Sequence, residues 1–229
     1  MLDFGEWGRS ADLVELRPTI KAIVFDLDGT LYVSRELGRE IFACATRYLA
    51  GLRGLPAEET GELIRTTRRR LTEEGGWEAS LSAALMELGG ELTELHRRFV
   101  AELEPERFLV PDERVVGLIT ALATSYDLSL YTNNNRILAD RILAATGLTG
   151  LFHREFTIEE TWRPKPDRVT LERVLAAVGH PPERVLFVGD REDIDLRLPA
   201  SLGCPIYRTR TIEVFLNLAR LIDEENAHE

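Results

Sequence analysis

Four short apolar runs, at residues 22–25, 128–131, 185–188 and 205–207, punctuate the chain, with amphipathic helical patterns between them. Two of the runs, Ala22-Ile23-Val24-Phe25 and Val185-Leu186-Phe187-Val188, are apolar at every position. Strands read this way when helices cover both faces of a parallel sheet. The helical patterns fall at residues 113–123, 136–146, 166–178, 196–202 and 212–222. Strand and helix alternating at this pitch predict right-handed βαβ units and an α/β fold with a doubly wound parallel sheet.

The first interval departs from that rhythm. About a hundred residues separate the first run from the second, far more than one crossover helix needs. Helical patterns at residues 37–49, 57–71, 79–88 and 92–103 lie here, punctuated by Gly51, Gly54-Leu55-Pro56, Gly75-Gly76 and Gly89-Gly90. They predict an all-helical domain over residues 33–108, inserted into a core made of residues 1–32 and 109–229. The alternative is a set of extra helices lying flat on the sheet.

Charge and cysteine content exclude several classes. The chain carries 39 Asp+Glu against 28 Lys+Arg, a formal charge of −11, which argues against binding nucleic-acid polymers through a broad basic surface. A local basic pocket for a phosphate remains allowed. No stretch approaches the ~18 apolar residues of a membrane span. Residues 1–17 carry Asp3, Glu6, Asp12 and Glu15 without a continuous apolar run, unlike a secretory signal. Cys44 and Cys204 form no CxxC pair, read as core fillers, and as free thiols suit a reducing cytoplasm. Residues 223–229 read as a frayed tail, and the oligomeric state is not legible.

In an open parallel α/β sheet, ligands bind beyond the carboxyl ends of the strands. After the first run stands Asp26-Leu27-Asp28-Gly29-Thr30, after the second Thr132-Asn133-Asn134-Asn135, and after the third Gly189-Asp190-Arg191-Glu192-Asp193-Ile194-Asp195. Asp26 and Asp28 are two apart, so on extended backbone they lean to one side. Gathering them with Asp190 is costly unless a cation neutralises them, and an all-oxygen site without His or Cys fits Mg²⁺. The bland alternative, three carboxylates that merely cap helices, is a poor account of all three at once. Lys165 sits between Pro164 and Pro166 in a chain with only one other Lys, Lys21, among its 28 basic residues. A compact ammonium is wanted there, where a planar guanidinium would not serve. Asn135 is placed to cap the next helix, which makes Thr132 and its neighbours an anion-facing turn.

Together Val24-Phe25-Asp26-Leu27-Asp28-Gly29-Thr30-Leu31, Thr132-Asn133, Lys165-Pro166-Asp167 and Val188-Gly189-Asp190 with an acid near Asp195 resemble the four motifs of the haloacid dehalogenase-like hydrolases, in order and spacing. The resemblance spans residues 21–208. It implies a Rossmann-like core with a helical cap inserted after the first strand. It further implies Asp26 as nucleophile and Asp28 as general acid and base. Thr132, Asn133 and Lys165 would hold phosphoryl oxygens, and Asp26, the backbone carbonyl of Asp28, Asp190 and a second acid of the fourth motif would hold Mg²⁺. That second acid is Asp193, three beyond Asp190, or Asp195, five beyond. The family more often places it four or five beyond, and position four is Ile194, so Asp195 is preferred.

Among the family's reactions, Asp28 argues for phosphoryl transfer, since a dehalogenase needs no acid for its leaving group. A Schiff-base phosphonatase would need a Lys in the cap, and residues 33–110 contain none. The expectation is therefore a phosphatase acting on a small phosphorylated metabolite. Leu31-Tyr32, Arg97-Arg98-Phe99-Val100 and Tyr131-Thr132-Asn133 look similar to the pyrimidine 5′-nucleotidase-like branch, and phosphoglycolate phosphatase-like enzymes share the layout. Two other classes stay open: a phosphoacceptor signalling domain, which would lack the long insertion, and a catalytically idle binding relative, which would lack the nucleophile or the acid. Within the cap, Trp77 reads as core or as an indole above the leaving group. Arg68-Arg69-Arg70 reads as a solvated helix face or a contact for an anionic substrate.

Overall fold

A computed structural model describes residues 20–226. The segment read as lacking a secretory signal and the end of the predicted tail lie outside the described residues.

Strands β1 (Ala22–Phe25), β2 (Asp127–Tyr131), β3 (Arg154–Phe156), β4 (Val185–Gly189) and β5 (Ile206–Arg208) form one all-parallel sheet in the order β3-β2-β1-β4-β5. β1 therefore lies at the centre, and the strand order reverses beside it. Alternation along the strands sorts the core into two faces. Ile23 and Phe25 of β1, Leu128 and Leu130 of β2, and Leu186 and Val188 of β4 join one apolar cluster. Ala22 and Val24, Tyr131, and Val185 and Phe187 join the other. Helices α5 (Glu113–Leu122), α6 (Arg136–Thr146) and α9 (Ile212–Asn226) cover the first face, and α7 (Arg168–Val178) with the short α8 (Arg197–Ser201) covers the second. This is the doubly wound α/β sheet the alternation predicts.

β3 was not among the predicted strands. It has three residues, and Arg154 and Glu155 carry no apolar signal, because an edge strand paired only to β2 need bury little. The helix expected at 166–178 begins at Arg168, where Asp167 Oδ1 accepts from Thr170 N at 2.8 Å. The tail is corrected too: α9 continues as helix to Asn226.

The long interval folds into α1 (Arg35–Arg53), α2 (Ala57–Gly75), α3 (Leu81–Glu87) and α4 (Leu92–Glu102). Ser34 starts α1 by accepting from Leu37 N at 3.2 Å, and Gly54 ends it at φ 65°. Gly76, at φ 70°, ends α2 in the same left-handed conformation, which only glycine enters without strain. α1 packs on α2 and α4, α2 on α3, and α4 also meets α6. Leu37, Cys44, Leu85, Leu95 and Phe99 of these helices belong to the same apolar cluster as Ile23 and Phe25.

Phe25 is fully buried at the centre of that cluster, edge-on to Phe152 at 6.1 Å and to Phe215 at 6.0 Å. Phe25→Ala is expected to lower stability by about 3–5 kcal/mol in urea denaturation, the usual cost of emptying a buried phenyl site.

Candidate active site

The sheet delivers its chemistry one residue past the strand ends. Asp26 extends β1, its N–H donating to Val188 O at 2.9 Å, and Thr132 extends β2, its N–H donating to Phe156 O at 2.9 Å. Asp190 follows β4 directly. Asp26 and Asp190 thus flank the point where strand order reverses, the usual ligand crevice of an open α/β sheet.

Lys165 ties these ends together. Its Nζ donates to Asp26 Oδ1 at 2.6 Å, Asp195 Oδ1 at 2.7 Å and Tyr131 O at 3.0 Å, using all three ammonium protons. The ammonium also lies 5.1 Å from the Tyr131 ring centre. Lys165 is 3% exposed, and the two carboxylates hold its pKa above the ordinary value although burial opposes them. A buried charge persists only where paired and hydrogen-bonded, and both conditions are met.

Asp26 Oδ2 accepts from Thr30 Oγ1 at 3.2 Å. Burial, with Asp195 and then Asp28 and Asp190 nearby, pushes the Asp26 carboxyl up to about 7 even though Lys165 pulls it down. Burial and Asp195 likewise push Asp190 up to about 6. Asp28 is held apart from this group. Tyr32 Oη donates to its Oδ1 and Asn134 Nδ2 donates to its Oδ2 at 2.6 Å. Burial raises Asp28 and these donors counter it, while burial and Asp28 keep the Tyr32 phenol well above its ordinary pKa.

A π turn at Glu192–Leu196 separates the two candidate acids of the fourth motif. Asp195 points inward, joining Lys165 and accepting from Arg191 N at 3.1 Å through Oδ2. Asp193 points to the helical layer, accepting from Glu78 N at 2.8 Å and from Arg197 Nη1 at 3.0 Å. Asp26, Asp190 and Asp195 each offer an oxygen within 4.8 Å of the others. Asp190 Oδ1 is buried without a hydrogen-bond partner, and its nearest cationic atom is Arg191 Nε at 3.8 Å. Four carboxylates (Asp26, Asp28, Asp190, Asp195) thus meet two cations (Lys165, Arg191), an excess of two negative charges. That deficit, the hard oxygen donors and the orphaned Asp190 oxygen fit a divalent cation such as Mg²⁺. Two glycines let the carboxylates approach: a Cβ on Gly29 would stand 2.5 Å from Asp190 Oδ2, and one on Gly189 would stand 2.5 Å from Asp195 Cβ.

The turn after β2 presents donors. Thr132 Oγ1 accepts from Asn134 N at 3.1 Å, so its hydroxyl proton is left to donate. Asn133 Oδ1 accepts from Lys165 N at 2.8 Å, which leaves its amide Nδ2 as a donor. Asn135 caps α6, accepting from Leu138 N at 2.9 Å, and donates to His96 O of α4 at 3.3 Å.

The α2–α3 loop is pinned to the sheet side. Arg197 Nη1 donates to Gly76 O at 3.1 Å, and its guanidinium lies 5.9 Å from the centre of the half-exposed Trp77 ring. Arg68 donates to Ala79 O and Glu78 Oε1, both at 3.1 Å, while Arg70 pairs with Glu74 and Glu87. Between this loop and residues 163–167 lies a cleft of about 830 Å³ walled by Trp77, Ala83, Met86, Arg163 and Lys165. Tyr32, Asn134 and Arg191 were not singled out from sequence. Tyr32 sits among apolar neighbours as an ordinary core aromatic would, and Asn134 hides within a run of three Asn.

A family model for the haloacid dehalogenase-like hydrolases matches residues 20–203. The chain is 27% identical over 203 residues to a glyceraldehyde 3-phosphate phosphatase of Methanopyrus kandleri, covering 83% of this chain and 84% of that protein. It is 28% identical over 202 residues to a phosphoglycolate phosphatase of Thiobacillus denitrificans, covering 82% of each. A phosphatase structure from Thermococcus onnurineus shares the fold at TM-score 0.58 and 21% identity, covering 89% of this chain and 98% of that one. The magnesium-bound putative hydrolase YfnB of Bacillus subtilis aligns at the same TM-score and identity, covering 89% and 99%. The sheet, the four motifs at its strand ends and the match over most of the chain agree: this protein belongs to the haloacid dehalogenase-like hydrolase family.

Proposed function

We propose that this enzyme, a phosphatase, hydrolyses a small phosphate monoester through an aspartyl-phosphate on Asp26, with Mg²⁺ as cofactor. Helices α1–α4 serve as its cap. The observation that carries this reading is the different company of two carboxylates on one strand end. Asp26 faces an ammonium and two further carboxylates, while Asp28 faces two neutral donors. Environments that set two acids apart divide their roles.

Asp26, held by Lys165 and Thr30, attacks phosphorus; its oxygen bonds to phosphorus as the ester oxygen departs. Asp28 gives that oxygen a proton. It then removes a proton from the water that cleaves the aspartyl-phosphate and releases inorganic phosphate. The Thr132 hydroxyl and the Asn133 amide donate to phosphoryl oxygens, while the Lys165 ammonium, its three protons already placed, offsets their charge from behind Asp26. Asp26, Asp190 and Asp195, with the backbone carbonyl of Asp28, would hold Mg²⁺. When bound, that ion offsets the charge of the carboxylates and of the phosphoryl group. Both curated relatives are named for phosphates of very small carbon skeletons. A substrate of that size, phosphoglycolate or glyceraldehyde 3-phosphate, is favoured over a nucleoside monophosphate. Among the described residues no helix is long and apolar enough to cross a membrane, and two buried free thiols suit the cytoplasm.

Phosphate release should be measured across phosphoglycolate, glyceraldehyde 3-phosphate, sugar phosphates and nucleoside monophosphates, with Mg²⁺ and with excess EDTA. Release is expected only with Mg²⁺ and fastest on the smallest esters. Asp26→Asn should fall to background while keeping its melting transition; turnover by the folded variant would overturn the nucleophile assignment.

The raised carboxyls set a pH dependence. Asp26 at about 7 and Asp190 at about 6 hold protons that the unfolded chain, with carboxylates near 3.8, has already lost. The native state binds more protons between about pH 4 and 7, so these groups lower stability as pH rises through that window. A divalent cation must displace the same protons. The rise in melting temperature on adding Mg²⁺ is therefore expected to be large at pH 8 and small at pH 5; a rise independent of pH would show that the ion binds elsewhere.

A further inference from the structure

Three cations at this end of the sheet are matched to acceptors. Lys165 has placed all three protons, and Arg68 of α2 donates to Ala79 O and Glu78 Oε1, both at 3.1 Å. Arg197 donates to Asp193 Oδ1 at 3.0 Å and to Gly76 O at 3.1 Å. Arg191 is different. Its guanidinium donates to no group among the described residues, and its nearest ion-pair partner is Asp190 Oδ1, 3.8 Å from Nε. The side chain is only 32% exposed, and the main chain beneath it is fixed: Arg191 N donates to Asp195 Oδ2 at 3.1 Å, and Arg191 O accepts from Asp195 N at 2.9 Å. A rigid fork of five N–H donors is thus held at the site without an acceptor from these residues.

Its place decides what that acceptor is. Thr132 and Asn133 lie past β2, on one side of β1, and Arg191 lies past β4, on the other. A phosphoryl group over Asp26 therefore draws its donors from the β2 side, while Arg191 faces the α2–α3 loop. That loop is tied to the same π turn, Glu78 N donating to Asp193 Oδ2 at 2.8 Å. Burial opposes the Arg191 charge, yet Asp195, Asp26, Asp190 and Glu78 hold its pKa above the ordinary value, so it feels both the strand ends and the loop. Burial lowers the Arg68 pKa and Arg191 lowers it further, against Glu78. Two guanidiniums that feel each other across this boundary favour an anion beside them. A substrate that carries a carboxylate besides its phosphate brings another negative charge to a site already rich in carboxylates, and a planar fork matches both of its oxygens. We propose that Arg191 is a specificity-determining residue whose guanidinium clasps the carboxylate of the substrate, so that the enzyme takes the phosphate ester of a short hydroxy acid in preference to that of a neutral alcohol or aldehyde. The proposal rests on the reading of this site as a small-ester phosphatase. In the shortest such ester the carboxyl carbon is bonded to the carbon that carries the ester oxygen, which keeps the second anion beside the strand ends.

The test uses the full chain with saturating Mg²⁺ and two esters of like size: 2-phosphoglycolate, and 2-phosphoglycolamide, in which a neutral amide replaces the carboxylate. Wild-type kcat/KM should favour the acid about ten- to hundredfold, the range for a hydrogen-bonded charged pair. Turnover of both esters without that preference would overturn the proposal alone, and no variant is needed to see it. Release of phosphate from neither ester would sink the small-ester reading first and the proposal with it. In Arg191→Gln the preference should vanish, the loss falling on KM for the acid more than on kcat. An equal loss on both esters would show that Arg191 serves the phosphoryl group or the carboxylate cluster. A preference that survives would show that the acid is read elsewhere. Either result overturns the proposal. Should Arg191→Gln not fold, Arg191→Lys decides through the same ratio: it keeps the charge without the fork, so the preference should fall several-fold, and an unchanged ratio would overturn the clasp.

Discussion

The site is organised by one buried ammonium. Lys165 Nζ joins the ends of β1, β2 and the turn after β4 through Asp26, the Tyr131 carbonyl and Asp195. Placing a cation at the mouth of an apolar sheet costs several kcal/mol in lost hydration, recovered only if every proton finds an acceptor. Three acceptors at 2.6–3.0 Å meet that condition. An Arg, with five donors in a rigid fork, would leave protons unmatched in the same space. The strand ends are thereby fixed relative to one another before any substrate arrives, which is the preorganisation that electrostatic catalysis requires.

That arrangement also explains why the carboxylates accumulate. Each was placed by backbone geometry rather than by a search for a partner: Asp26 and Thr132 prolong their strands, and Gly29 and Gly189 remove the Cβ atoms that would block Asp190 and Asp195. Two positive charges against four negative ones leave the assembly under-neutralised, and burial first, then neighbouring carboxylates, displace Asp26 and Asp190 upward. Asp28 has different partners. Both its carboxylate oxygens accept from neutral donors, Tyr32 and Asn134, although it is only two residues from Asp26.

Much of this was legible in the sequence because it follows from local rules. The apolar runs of β1 and β4, the helix caps at Asn135 and Asp167, and the glycine ends of α1 and α2 each depend on neighbouring residues. β3 escaped because a three-residue edge strand carries no burial pattern. Family spacing preferred Asp195 to Asp193, but their opposite directions depend on a π turn that widens one helical turn by a residue, which spacing alone does not encode. The contacts of Tyr32 and Asn134 with Asp28 were not legible because one closes a chain reversal of four residues and the other spans 106 positions, neither a matter of composition or period.

Asp193, the acid that the spacing passed over, has partners of its own. Asp193, on the outer side of the π turn, accepts from Glu78 N, and Arg197, one helical turn on, reaches both Asp193 and Gly76 O. One turn of backbone therefore aims Asp195 at the buried ammonium and Asp193 at the α2–α3 loop. The inner contact is buried, with both side chains 3% exposed; the outer ion pair is solvated, at 51% and 29%. The same segment is thus dry on the face that meets Lys165 and solvated on the opposite face, a division set by which face of the turn water can reach.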